Sequence, residues 1–396
     1  DDPATFALLQ ACKTTAVFQL ESSGMRDLMR RLQPDSFGDI VALVALFRPG
    51  PLQSGMVDDF INRKHADASQ PIDYLHPDLE PVLRETYGVI LYQEQVMQIA
   101  QRLAGYSLGE ADLLRRAMGK KKAEEMAKQR AGFTDRAAER GTERARATWI
   151  FDLMEKFAGY GFNKSHSAAY ALLAYQTAWL KANHPAAFMT AVMTTEMDNT
   201  DTLVVQKREC AALGIDLLPP DVNVSMHAFT VEEDNRIRYG LGAIKGVGQG
   251  AAEHIVAQRN ESGLYRSLQD FCRRVGGQRH GRRPVEALIK AGALDALGPN
   301  RPSLLAELPR AMDAADQAAA ADRAGQEDMF GAPASQPAAV YSVPELPDWG
   351  LGRKLQAERE SLGLYLSGHP FDQYRADQPF ICSSTIAALL ADLTRP

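Results

Sequence analysis

Apolar side chains recur along most of this chain at intervals of three and four, the spacing that gathers them on one face of an α-helix. Residues 37–47 are almost continuously apolar, with Ser36 or Asp35 placed to cap them, and Arg48-Pro49-Gly50-Pro51 stops the run. Residues 88–104 turn from a β-like stretch into a helix with Val96, Ile99, Ala100 and Leu103 on one face. Ser107 and Glu110 form a capping box for the next helix, whose buried side is Leu113, Leu114 and Ala117 and whose end is Gly119. The pattern predicts an amphipathic helix over 149–157 and a long one over 168–181, capped by Ser165 or Ser167. Residues 16–20 are short, apolar and partly β-like. Residues 229–240 alternate as a β-hairpin turning at Glu233-Asp234-Asn235, and a last helix is expected over 356–366, ended by Gly368-His369-Pro370. The fold class is mainly α.

One interruption of the helical period carries chemistry of its own. In YGLGAIKGVGQGAAEHIVAQR, residues 239–259, the apolar positions Leu241 and Ile244 are followed by Gly246-Val247-Gly248, and then Ala252, Ile255 and Val256 resume the period. That is two short helices joined by a glycine turn, with Gly246 and Gly248 free to take positive φ and Val247 free to point inward. Amides from Gly248 to Gly250 open the second helix, so unpartnered N–H groups and a positive dipole end face the same way as Lys245. The pattern resembles the helix-hairpin-helix motif, which grips a nucleic-acid backbone without reading bases; two core helices around a plain turn are the alternative. Residues 284–298, PVEALIKAGALDALG, give a second and weaker hairpin, with Arg279, Arg282 and Arg283 just upstream.

Charge sharpens this picture. The chain of 396 residues has a net charge of −6, yet residues 102–146 hold 12 basic and 7 acidic side chains, and residues 236–310 hold 13 and 6. Two islands of +5 and +7 thus sit in a remainder of −18, the distribution of local polyanion sites on an otherwise acidic, soluble chain. Read alone, Arg115, Arg116, Lys120 and Lys121 fit a solvated helix face as well as a phosphate site. His166, in Asn163-Lys164-Ser165-His166, reads first as structural. Cys12, Cys210, Cys272 and Cys382 are scattered without metal-ligand spacing, which points to a reducing cytoplasm and to no metal site. No run is long and apolar enough for a membrane span.

From Met312 the composition shifts to Ala, Gln and Asp, then to Pro and Ser, as in a helical tail leading into a flexible linker. Within it lies Gly325-Gln326-Glu327-Asp328-Met329-Phe330-Gly331, with two large apolar side chains and no local core to cover them. Gln326, Asp328, Met329 and Phe330 resemble the short peptide that docks on a bacterial sliding clamp, although Glu327 stands where that peptide usually has Leu.

The runs AVFQLESSGMRDLMRRLQP, ALFRPGPLQSGMVDDFINRKH, YGVILYQEQVMQIAQRLAGYSLGEADLLRRAMGKKK and FAGYGFNKSHSAAYALLAYQTAWLKA resemble the alpha subunits of bacterial DNA polymerase III over nearly the whole chain. The resemblance implies a fingers domain over residues 1–219 and a tandem helix-hairpin-helix domain over 220–310. A helical tail and linker with the clamp-binding peptide would follow over 311–370, and the start of an oligonucleotide-binding (OB-type) barrel over 371–396. It implies a replicative polymerase whose partners are primer-template DNA, dNTPs, the sliding clamp (beta subunit) and other replicase subunits. Arg115 and Arg116 would then present cations to the incoming triphosphate, with Lys120 and Lys121 beside them and Asn163, Lys164, Ser165 and His166 near the nascent base pair or template. The Mg²⁺ ligands of the family belong to a palm domain upstream of the AVFQLES run, so this chain alone is expected to be inactive. Asp58-Asp59 read as surface, since neighbours on a helix do not converge on one metal. An error-prone translesion paralogue and a non-catalytic, clamp-tethered DNA-binding scaffold are the alternatives.

Overall fold

The computed structural model describes residues 2–67, 71–120, 123–158, 161–233, 235–275, 281–324, 345–386 and 388–389. They are mainly helical and form two compact units, Asp1–His184 and Pro185–Pro396. The limit near 219 inferred for the fingers lies downstream of that division. The reason is packing: the helices Pro185–Thr195 and Thr200–Ala212 lie against the three-stranded sheet of the second unit.

The first unit has two cores. One is built by the helices Ser23–Leu32, Phe37–Leu46 and Met56–Lys64 around the long helix Lys164–Asn183, whose Ala171, Ala174 and Ala178 are fully buried. Small residues at that spacing let the backbone of Lys164–Asn183 approach Phe37–Leu46 closely. Ser36 caps Phe37–Leu46 in a capping box completed by Asp39. Pro49, expected only to stop that helix, opens a short new one, Pro49–Gln53, because proline is well suited to a first helical position. The second core joins Gln93–Ala104, Leu108–Lys120, Ala123–Glu139 and Arg144–Ala158. Residues 16–20 are not β-like: Ala16 and Gln19 take positive φ, so the run is a string of turns.

In the second unit, β1 (Asp216–Leu218), β2 (Thr230–Glu232) and β3 (Arg236–Arg238) form a sheet of order β1-β3-β2. β2 and β3 are the expected antiparallel hairpin, with Val231 opposite Ile237, and β1 joins in parallel. The helix Leu351–Leu362 ends at Gly363 in the left-handed region, short of the expected stop at Gly368. It packs on Arg282–Ala291. Its buried Glu358 accepts hydrogen bonds from the amides of Leu366 and Ser367 at 2.7 and 3.0 Å and faces Arg301 at 3.7 Å. A carboxylate so fully bonded fixes residues 351–367 onto the preceding helices. Pro370–Tyr374 and Gln378–Ile381 are short helical turns. The four cysteines are free thiols, and no helix among the described residues is long and apolar enough to cross a membrane.

Candidate nucleotide and nucleic-acid contacts

In the first unit the helix Leu108–Lys120 carries Arg115 and Arg116. Its start is the expected capping box: the Ser107 amide donates to Glu110 Oε2 at 2.7 Å, and the Glu110 amide to Ser107 Oγ at 3.3 Å. Arg136 also donates to Glu110 at 2.9 Å, and it is the first cause holding that carboxyl at about 2. Ala111, Leu114, Ala117 and Met118 point inward. Leu113, expected on that side, is 62% exposed, because it sits about 100° around the helix from Leu114. Gly119 does not end the helix, which runs through Lys120; Lys121 lies outside the described residues.

Both arginines converge on one carboxylate. Arg115 donates Nε and Nη2 to Asp112 Oδ1 at 3.0 and 2.8 Å, and Arg116 pairs Nε with Asp112 Oδ2 at 2.8 Å. The Arg115 bond is the main reason that the Asp112 carboxyl is held below its usual range. The spacing could have revealed this partner, since Asp112 stands three and four residues before the two arginines. Gln93 had no such signal: it accepts from Arg115 Nη1 at 3.0 Å and donates to Gly161 O at 3.1 Å.

Through Gln93 the structure links Arg115 to the loop that precedes residues 163–166. The Gln93 amide donates to Phe162 O at 2.9 Å, and Tyr92 and Phe162 form an isolated parallel β-bridge. The helix begins at Lys164, earlier than the spacing predicted, because Asn163 and not Ser165 or Ser167 caps it, accepting from the His166 amide at 2.8 Å. Its amide end already holds an anion: Glu94 accepts from the Lys164 amide at 3.0 and 3.1 Å. Lys164 Nζ donates to both carboxylate oxygens of Glu85, at 2.8 and 2.6 Å. These groups line a cleft with Arg84, Gln95 and Gln98. Ser165 and His166 are exposed on the first turn. Asp58 pairs with Arg31 and, like Asp59, lies on the surface.

In the second unit the glycine turn connects a 3₁₀ turn, Leu241–Ala243, to the helix Gln249–Ser262. The first half is thus shorter than the helix expected. Only Gly246 takes positive φ, +85°; Gly248 is the N-cap with φ −68°, where any residue fits. Val247 is buried, while Lys245, Gly246, Gly248, Gln249 and Gly250 are exposed. A Cβ at Gly246, Gly248 or Gly250 would meet nothing within 4 Å, so the first amides of Gln249–Ser262 open onto free space. The Lys245 amide donates to Ser361 O at 2.8 Å, which fixes the turn against Leu351–Leu362.

The second hairpin is closed. Arg301, almost fully buried, donates Nε and Nη2 to Asp295 at 2.9 Å each and Nη1 to Lys290 O at 3.2 Å. A Cβ on Gly292, whose φ is +87°, would come within 2.2 Å of that guanidinium. Asn300 caps the helix Arg301–Ala324 at the Ser303 amide, 3.0 Å away. Arg282 pairs with Glu286 at 2.7 Å, Arg283 is exposed, and Arg279 lies outside the described residues, as do Gln326, Asp328, Met329 and Phe330.

Comparison with known proteins agrees with both halves. Residues 1–141 match the bacterial DNA polymerase III alpha subunit finger domain, and residues 214–304 match the helix-hairpin-helix motif. DNA polymerase III subunit alpha of Escherichia coli strain K12 is 57% identical over 378 residues, 94% of this chain. The chain belongs to the bacterial DNA polymerase III alpha-subunit family. The Haemophilus influenzae and Pseudomonas aeruginosa subunits of the same name are 57% and 53% identical, over 94% and 99% of this chain. The chain spans about a third of the length of these relatives, 33–36%. The turn with the open amides and the closed hairpin both lie within the helix-hairpin-helix match, and Arg115, Arg116 and Asp112 lie within the finger match.

Proposed function

We propose that this chain supplies the incoming-nucleotide, duplex and clamp contacts of a replicative DNA polymerase, one that extends primers from dNTPs on a template. The observation that carries this reading is the convergence of Arg115 and Arg116 on Asp112. A single carboxylate at the surface is a weak counter-ion for two guanidinium groups, and a triphosphate offers more charge and more oxygens in the bidentate geometry that arginine prefers. Exchange of Asp112 for triphosphate would leave both cations aimed at the transferring phosphoryl groups. Lys120 and Lys121, next in sequence, are assigned to the same triphosphate. Residues 163–166 lie one hydrogen-bonded step away through Gln93 and sit beside the nascent base pair or template; Lys164 takes part once it leaves Glu85.

The functional division follows the sequence: fingers over 1–219, tandem helix-hairpin-helix over 220–310, tail and clamp-binding segment over 311–370, and the start of an OB-type barrel over 371–396. Lys245, Gly246, Val247, Gly248 and Gly250 form the main phosphate grip, with Arg279, Arg282 and Arg283 as flanking cations. The enzyme works in the cytoplasm with the sliding clamp and other replicase subunits. A divalent metal, Mg²⁺ in this reading, supplies charge neutralisation at the triphosphate. The residues present here do not fit it: among the described residues no three His, Cys, Asp or Glu converge, and its ligands are assigned to palm carboxylates.

Two experiments test the reading. In primer extension with Mg²⁺, the intact protein should add nucleotides while this chain alone binds primed duplex and adds none; extension by the purified chain would overturn it. Gly246→Val should lower duplex affinity and flatten the slope of log affinity against log salt, as phosphate contacts are lost. The cause is backbone: a β-branched residue at φ +85° costs about 1–2 kcal/mol even with open space around it. An unchanged titration in a folded variant would reduce the motif to a plain turn.

A further inference from the structure

The helix Lys164–Asn183 presents an aromatic row on the surface of the first unit, of which the contacts proposed above use only His166. Phe162, His166 and Tyr170 follow one another at intervals of four, with ring centroids 5.4 and 4.3 Å apart. Phe18, from the turns at 16–20, extends the row at 5.6 Å from Tyr170, tilted by 33°. Arg48 closes the other end, its guanidinium 4.2 Å over the Phe162 ring.

The chain invests structure in keeping Phe18 outside. Phe18 is 39% exposed, and the residues at 16 and 19 that bracket it, Ala16 and Gln19, have φ of +62° and +64°. Such conformations persist only where the surroundings over-determine them. Here the same helix does so: Thr177 Oγ1 accepts from the Phe18 amide at 3.1 Å. Lys181, 1% exposed, donates Nζ to Lys13 O and Thr15 O at 2.9 and 2.8 Å. A buried ammonium that holds a loop so as to expose a phenyl ring does not serve the core, since burying Phe18 would serve it better.

We propose that the row from Arg48 to Phe18 is a stacking platform for unpaired bases of a nucleic-acid strand. Successive rings offer π-faces to bases without hydrogen-bond readout, and Arg48 adds a cation-π face and positive charge. The amide end of Lys164–Asn183 is already occupied by Glu94, so the positive charge beside Phe162 is that of Arg48, which complements a polyanion better than an apolar protein surface. The inference rests on the nucleic-acid reading and adds the ligand's chemistry, bases and not phosphates.

The test compares the affinity of this chain for a short oligothymidylate and for an abasic deoxyribose-phosphate strand of the same length. The wild type should prefer the oligothymidylate by about 5- to 150-fold for each stacked base. Phe18→Ala should cut that preference and Phe18→Tyr should keep it; if Phe18→Ala loses its thermal transition, His166→Ala, at an exposed position, replaces it. Gly246→Val should weaken both probes equally, so failure of the phosphate grip leaves the base preference readable. Equal binding of the two probes by wild type, or a preference that survives both Phe18→Ala and His166→Ala, overturns the platform and leaves an apolar face for a protein.

Discussion

Arg115→Ala in the intact protein should lower kcat/KM for nucleotide addition by about 10- to 150-fold, and Arg116→Ala by a smaller factor within that range. The range is that of a charge-assisted arginine contact to phosphate, about 1.5–3 kcal/mol. Primer-template affinity should hold, because the contact is to the triphosphate and not to the duplex. The side chains differ in readiness: Arg115 is 29% exposed and anchored by Gln93, while Arg116 is 62% exposed and held by Asp112. Arg115→Ala therefore also loosens the hydrogen-bonded path to Gly161, and its loss should be the larger of the two. Single-nucleotide addition at varied dNTP concentration checks this. Normal addition with weakened duplex binding would assign these arginines to DNA.

Phe330→Ala should remove binding of a peptide spanning residues 324–332 to a bacterial sliding clamp. In the intact protein it should shorten the product made per binding event while single additions continue. Loss of one buried aromatic anchor removes at least about 2 kcal/mol, enough to abolish a micromolar contact in practice. The chain on either side is fixed: Arg301–Ala324 precedes the segment, and beyond it Leu346 returns to that helix's start. There its amide donates to Ser303 Oγ at 2.9 Å, and Asn300 Nδ2 donates to Leu346 O at 2.7 Å. Calorimetry that shows no heat at high micromolar peptide, together with unaltered processivity, would contradict it.

Local chemistry was legible wherever one residue satisfies its near neighbours. The cap at Ser36, the capping box at Ser107, the hairpin around Val231 and Ile237, and the inward Val247 depend on partners within a few positions. What depends on distant chain was not legible. Asn163 wins the cap from Ser165 because Glu94 and the Tyr92–Phe162 bridge hold the preceding loop, a contact some seventy residues away in sequence. Residues 16–20 look like a strand by composition, yet Lys181 and Thr177 fix them as turns. The second hairpin reads like the first until Arg301 closes it onto Asp295. Leu351–Leu362 gives no sign in sequence that it packs on Arg282–Ala291 from beyond the linker. Of the nucleotide candidates, the cations were visible; their counter-ions Asp112, Glu85 and Glu94 were not singled out.

Equilibrium binding of a dNTP to the intact protein on a primer-template with a terminated primer tests the central claim most directly. With chemistry blocked, Arg115→Ala and Arg116→Ala should each weaken nucleotide Kd by at least about tenfold and leave primer-template Kd at the wild-type value. Wild-type nucleotide affinity in both variants would contradict the assignment of this surface to the incoming triphosphate.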